Sequence, residues 1–213
     1  MNDAIHQPIS QGEHFENARK GSRMEQVANE LRRRCKMDEG KSGNGESDGI
    51  DLYEEAAIAE KLAKEWNIWY SIDDVFALGT PGPSGSENDT YIDKNGGIVY
   101  KTNNLIHTGS IIKLFDRLSI HNSLFPQSAY ELKGFTGFEG RTIMPLLQQR
   151  YIEGAMPAFP EEIDKYMSAL DFRKIDDWTY TNGKITLSDV KPRNVLKDID
   201  GYLYVIDVEI KKL

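Results

Sequence analysis

The side chains best equipped for chemistry lie in Leu187-Ser188-Asp189-Val190-Lys191-Pro192-Arg193-Asn194-Val195-Leu196 and in Tyr202-Leu203-Tyr204-Val205-Ile206-Asp207. Between them, Asp198 to Gly201 is a turn cluster joining two β-rich runs, which predicts an antiparallel hairpin. With the turn centred between Asp200 and Gly201, Asn194 falls directly opposite Asp207, roughly 5 Å away. An amide oxygen beside a carboxylate makes a hard-oxygen site that suits Mg²⁺, with the remaining positions left to water and phosphate oxygens. Asp189 sits on the incoming loop, where a carboxylate can accept a proton from a hydroxyl nucleophile. Lys191 can offer positive charge to a transferring phosphoryl group, and Pro192 stiffens the loop between them. The competing reading is a turn-rich hairpin whose Asp and Asn only cap backbone groups.

The elements that must position these residues can be read upstream. Met24, Val27, Leu31 and Cys35 recur at helical spacing within residues 14–37, beside Arg32, Arg33 and Arg34, and Gly21 weakens the start of that helix. Residues 38–49 carry no large apolar side chain and are expected as a flexible linker, so residues 1–50 read as a helical arm plus linker. Gly40-Lys41-Ser42 resembles the end of a P-loop, but Cys35 stands where its first glycine belongs and no strand precedes it. Asp51 can cap a second helix in a capping box with Glu54. Its apolar stripe would be Leu52, Ala56, Ala59, Ala63 and Trp66, with Glu60 and Lys64 paired outside. Beyond it the expectation is a strand over residues 74–78, a loop over 79–88 and a hairpin over 90–101 with Asn95-Gly96 at its tip. A helix over 110–122, strands over 130–138 and 141–148, a helix over 161–170 and short strands should follow.

In the 90–101 hairpin, Ile92 faces Val99 and Lys101 shares their side, so a lysine stands at one end of an apolar patch, as a nucleotide shelf requires. Gly79, Gly82 and Gly85 lie in the loop before it, where glycine lets backbone N–H groups approach phosphates; the prolines 81 and 83 remove donors from the same loop. The other reading of this loop is a surface turn.

Taken together, these residues resemble the protein-kinase superfamily. Asp189-x-Lys191-x-x-Asn194 followed by Asp207 is similar to the catalytic loop and metal-binding turn of that family, and Val99-x-Lys101 to its phosphate-anchoring lysine. The order of glycine-rich loop, V-x-K, helix, hinge and D-x-K-x-x-N…D is most similar to the small kinase-like domains of bacterial polyvalent proteins carried by phages and conjugative elements. The resemblance implies an α+β, protein-kinase-like fold: an antiparallel-sheet N-lobe over residues 51–154 with its preceding helix, and a truncated C-lobe over 155–213. It implies ATP and Mg²⁺ as cofactors, Asp189 and Lys191 as catalytic residues, and Asn194 and Asp207 as metal ligands. Nucleotide contacts would come from Gly79, Gly82, Gly85, Val99 and Lys101. A partner acid for Lys101 would come from Asp116, with Glu87 a rival, and the adenine edge would be read near Tyr151 and Ile152. Two departures stand out: Leu187-Ser188 precedes the catalytic Asp in place of His-Arg, and Val208-Glu209 follows the metal Asp in place of Phe-Gly. The first removes the Arg that answers a phosphorylated activation loop, so regulation of that kind is not expected. The implied activity is phosphoryl transfer to a hydroxyl acceptor, a protein Ser/Thr or a small molecule; a nucleotide-binding pseudokinase is the alternative.

Composition bounds the rest. A net charge of −8 over 213 residues argues against a protein held to nucleic acid by phosphate contacts, without excluding nucleotides. No apolar run is long enough to span a bilayer, no signal peptide is visible, and one cysteine makes no internal disulfide, so a cytoplasmic location is expected. The four histidines have no zinc-ligand spacing. His121 reads as a structural cap near a helix end.

Overall fold

The computed structural model describes residues 21–39 and 52–213. The expected linker from residue 40 onward, Gly40-Lys41-Ser42 and the Asp51 cap lie outside these residues; Asp38 and Glu39 belong to the end of the first helix. Helix α1 (Arg23–Glu39) does form on the expected stripe, with Met24, Val27, Leu31 and Cys35 all buried. It is not an arm: it packs on α2 (Leu52–Glu65) and α4 (Ile111–Leu124) as a layer of one core with Phe115, Leu118 and Phe135. Each fully buried aliphatic of that stripe contributes about 2 kcal/mol, which an arm in water would forgo.

The buried face of α2 is rotated from the expected one. Glu55, Ala59, Leu62 and Ala63 are buried, whereas Leu52 and Trp66 are exposed. The reason is Glu55, whose Oε1 accepts hydrogen bonds from the Ile112 backbone N–H at 2.8 Å and the Ser110 hydroxyl at 3.1 Å. A carboxylate placed at the first turn of α4 satisfies orphan donors and meets the positive end of the helix dipole. Ser110 is itself the N-cap, accepting from the Lys113 N–H. Glu60 and Lys64 pair at 2.9 Å as expected.

The expected strand at 74–78 is instead a short helix, α3 (Ile72–Phe76). Ser71 and Asp74 form a capping box, each side chain accepting from the other's backbone N–H, and this local pair starts a helix where a strand was expected. The first sheet is antiparallel, with the order β1-β2-β3-β5-β4: β1 (Thr80–Pro81), β2 (Asn88–Asp93), β3 (Ile98–Asn103), β4 (Glu131–Phe138) and β5 (Thr142–Arg150). Ile92 pairs with Val99 and Thr90 with Lys101, the register expected of that hairpin. Gly134 of β4 is required because a Cβ there would lie 2.2 Å from the Ile68 carbonyl oxygen, where the segment leading to α3 crosses the sheet edge.

The second core lies below. Helix α5 (Pro160–Ala169) buries Ile163 and Met167 against Phe172, Tyr180, Leu187, Val190, Val195 and Val205. Around it run a three-stranded sheet, β11-β10-β6, and a four-stranded one, β12-β9-β8-β7. The strands are β6 (Met156–Pro157), β7 (Arg173–Asp176), β8 (Thr179–Thr181), β9 (Ile185–Ser188), β10 (Val195–Lys197), β11 (Leu203–Val205) and β12 (Glu209–Lys212). The chain is therefore mixed α+β with antiparallel sheets.

Candidate active site

Asp189, Asn194 and Asp207 all lie where the two lower sheets meet. Asp189 follows β9 directly, Asn194 precedes β10, and Asp207 falls between β11 and β12. The β9–β12 ladder closes on Ser188 opposite Glu209, and the Ile206 N–H donates to the Asn194 carbonyl at 2.9 Å. Two ladders thus hold the three residues, where one hairpin was expected.

The register of the β10–β11 hairpin corrects the sequence reading. Val195 pairs with Val205 and Lys197 with Leu203, so Asn194 faces Ile206 and not Asp207. The turn is longer by one residue than a two-residue loop. Asp198 and Tyr202 close it, the Asp198 carboxylate accepts from the N–H groups of Asp200 and Tyr202, and Gly201 has φ 88°. A one-residue slip changes which face each side chain takes, and Asp207 lies beyond the hairpin pairing, between β11 and β12.

Asp189 takes φ 59°, a left-handed conformation that Asp tolerates better than most residues. Its carboxylate ion-pairs with Lys191 and, at 3.4 Å, with Arg193. The Asn194 amide nitrogen donates both to the Asp189 carbonyl at 2.8 Å and to its Oδ2 at 2.9 Å. Partial burial alone would raise the Asp189 pKa, but Lys191, Arg193 and Asn194 together hold it below the ordinary value. It is thus an ionised acceptor at neutral pH. The backbone turns sharply here: Pro192–Asn194 is a 3-10 turn, the Asn194 N–H donates to the Lys191 carbonyl at 2.8 Å, and Val190 plugs the core beneath.

Lys101 comes in from β3. It is buried, and its ammonium donates to the Tyr130 hydroxyl at 3.1 Å and to the Ile206 carbonyl at 3.2 Å, next to Asp207. Burial lowers its pKa, opposed by the charges of Asp207 and Glu87. Asp116, expected as its partner acid, is instead exposed and ion-paired with Arg32 of α1. Arg32 reaches it because α1 packs against α4. Glu87, the rival, is buried and bonded at 2.7 Å to Arg117 of α4. Pairing alone gave no signal for Tyr130 and Arg117, because both depend on how α4 lies across the sheet.

In the glycine-rich segment, the Gly82 N–H donates to Thr90 at 2.8 Å and the Gly85 N–H to Asn88 at 3.0 Å. A Cβ at Gly79 would sit 2.6 Å from the Ile92 backbone, so this glycine serves strand packing. Val99 is half-buried between Ile92 and Gln149. Tyr151 and Ile152 are half-buried after β5, and the Tyr151 N–H is bound to the Gly97 carbonyl at 2.8 Å.

A water-sized cavity of about 10 Å³ separates Asp207 and Val208 from Arg117, His121 and Tyr130. His121 is buried, its Nε2 lies 3.1 Å from the Val205 carbonyl, and its ring meets those of Phe125 and Tyr130 edge-on. Burial, and then the Lys101 charge, depress its pKa to about 4. The folded protein therefore holds His121 neutral where the unfolded chain, titrating near 6.5, takes up a proton. Stability is expected to fall by roughly 3 kcal/mol as pH drops from 6.5 towards 4. Denaturant titrations of wild type and His121→Asn across that range check this; a variant with the same slope refutes the assignment.

Among the described residues no cluster of three or more His, Cys, Asp or Glu side chains is disposed to hold a metal. Of the two expected ligands, Asp207 is exposed and the Asn194 amide nitrogen is engaged by Asp189, which leaves a carboxylate and an amide oxygen, donors of the type a hard divalent cation takes. No described helix is long and apolar enough to cross a membrane. A family model described as serine/threonine/tyrosine kinase found in polyvalent proteins matches residues 53–212. No curated protein and no solved structure matches the chain.

Proposed function

Because the chain belongs to the serine/threonine/tyrosine kinase family found in polyvalent proteins, we propose that it transfers the γ-phosphoryl group of ATP, with Mg²⁺, to a hydroxyl acceptor, a protein serine or threonine. The observation that carries this reading is the convergence of an ionised Asp189, bound by Lys191 and Asn194, with Asp207 and a buried Lys101 beside one β-ladder junction. Asp189 orients the acceptor hydroxyl and accepts its proton. Lys191, paired with Asp189 and partly exposed, would meet charge developing on the transferring group. Lys101 supplies the cation for the nucleotide phosphates, and Asn194 and Asp207 would hold the metal, which when bound neutralises phosphate charge. Gly79, Gly82 and Gly85 would line the phosphate side, with Val99, Tyr151 and Ile152 against the base.

A second reading is a pseudokinase that holds nucleotide without turnover. What favours it is that the Lys101 ammonium already has two oxygen acceptors and that the Gly82 and Gly85 amides are already bonded. The deciding experiment follows label from [γ-³²P]ATP with Mg²⁺ in wild type, Asp189→Asn and Asp207→Asn. Transfer to polypeptide by wild type alone supports the kinase. Metal-dependent nucleotide binding with no transfer supports the pseudokinase, and transfer confined to small hydroxyl compounds moves the acceptor class.

A further inference from the structure

We propose that Tyr130 and Ser128 are positioning residues for Asp207, acting through the backbone carbonyls of the two residues before it; the proposal rests on the metal role given to Asp207 above. Four side chains from the upper half of the molecule converge on those carbonyls. The Val205 carbonyl accepts from the Ser128 hydroxyl at 2.6 Å and faces His121 Nε2 at 3.1 Å. The Ile206 carbonyl accepts from the Tyr130 hydroxyl and from the Lys101 ammonium at 3.2 Å. The Asp207 carboxylate is exposed, so its own side chain does not fix where it stands; the carbonyls behind it do.

These donors are themselves fixed. The Asn122 side chain brackets Tyr130, its oxygen accepting from the Tyr130 N–H and its nitrogen donating to the Tyr130 carbonyl, each at 2.7 Å. The Lys101 ammonium lies 4.9 Å from the centre of the Tyr130 ring, so one phenol both shields the cation and shares its acceptor. A neutral His121 that donates from Nε2 leaves Nδ1 bare, and Nδ1 is buried with no hydrogen-bond partner. An apolar residue at position 130 would fill the same space, so the hydroxyl is what ties the carboxylate segment to α4 and β4. Groups that orient a ligand from behind usually change metal affinity tenfold or more when removed.

The test measures ADP affinity by calorimetry, with and without Mg²⁺, on the full chain. Wild type is expected to bind ADP more tightly with Mg²⁺. Tyr130→Phe should lose about tenfold of that gain and Ser128→Ala about threefold, with metal-free ADP affinity within about threefold of wild type. Both variants keeping the whole gain while folded, as judged by thermal melting, overturns the proposal. Should Tyr130→Phe fail to fold, Ser128→Ala alone decides. Asp207→Asn separates the two levels of inference. If it abolishes the Mg²⁺ gain while the positioning variants retain it, only the positioning role falls. If it retains the gain, the metal role of Asp207 falls and the positioning role falls with it.

Discussion

Replacing Asp189 with asparagine is expected to lower phosphoryl transfer roughly a thousandfold while leaving Mg²⁺-dependent nucleotide affinity nearly unchanged. The substitution keeps the shape and the contact with Asn194 but removes the charge on which Lys191 and Arg193 converge. Without it the acceptor proton has no base, and Lys191 loses the partner that fixes its ammonium. Fold loss is not expected, because the side chain is only partly buried and the left-handed backbone suits Asn as well as Asp. Single-turnover transfer assays alongside nucleotide titrations read the two effects separately. Transfer retained within tenfold of wild type would remove Asp189 from the catalytic role.

Lys101→Met should separate function from stability in the opposite sense. The ammonium is buried, its hydrogen-bond acceptors are neutral oxygens, and burial lowers its pKa. Methionine has similar length without the charge, so the desolvation cost disappears; the Tyr130 hydroxyl and the Ile206 carbonyl still satisfy each other. The melting temperature is expected to stay level or rise by a few degrees. Transfer should fall at least a hundredfold, because the cation assigned to the phosphates is gone. Scanning fluorimetry with a transfer assay checks both. Activity within threefold of wild type would mean that Lys101 is a structural hub only.

Much of the local architecture was legible because it depends on neighbours in sequence. The Asn95-Gly96 turn and the Met24–Cys35 stripe each carry their own signal, and each element formed where the pattern put it. What escaped was decided by contacts remote in sequence or by one side chain outweighing a period. Asp198 staples a longer turn and shifts the β10–β11 register by one; Ser71 and Asp74 convert an expected strand into α3. Glu55 turns the α2 face inward to cap α4, which no helical periodicity of apolar residues foretells. Neither acid pairs with Lys101: α1, which precedes the stretch matched by the family model, packs against α4 and supplies Arg32 to Asp116, while Glu87 binds Arg117. For the site itself, the residue types were readable and the framework was not: the sequence pointed to one hairpin, and two ladders hold it.

The β9–β12 pairing has a kinetic corollary. Residues 185–188 find residues 209–212 only after the intervening loop and the β10–β11 hairpin have been drawn in, a closure that is slow compared with forming either local turn. The upper core, by contrast, needs none of those strands for its own apolar contacts. A nascent or partly refolded chain can therefore own a finished lysine-bearing sheet while Asp189 and Asp207 are still unassembled; on the proposed function, turnover would then be a late marker of maturation.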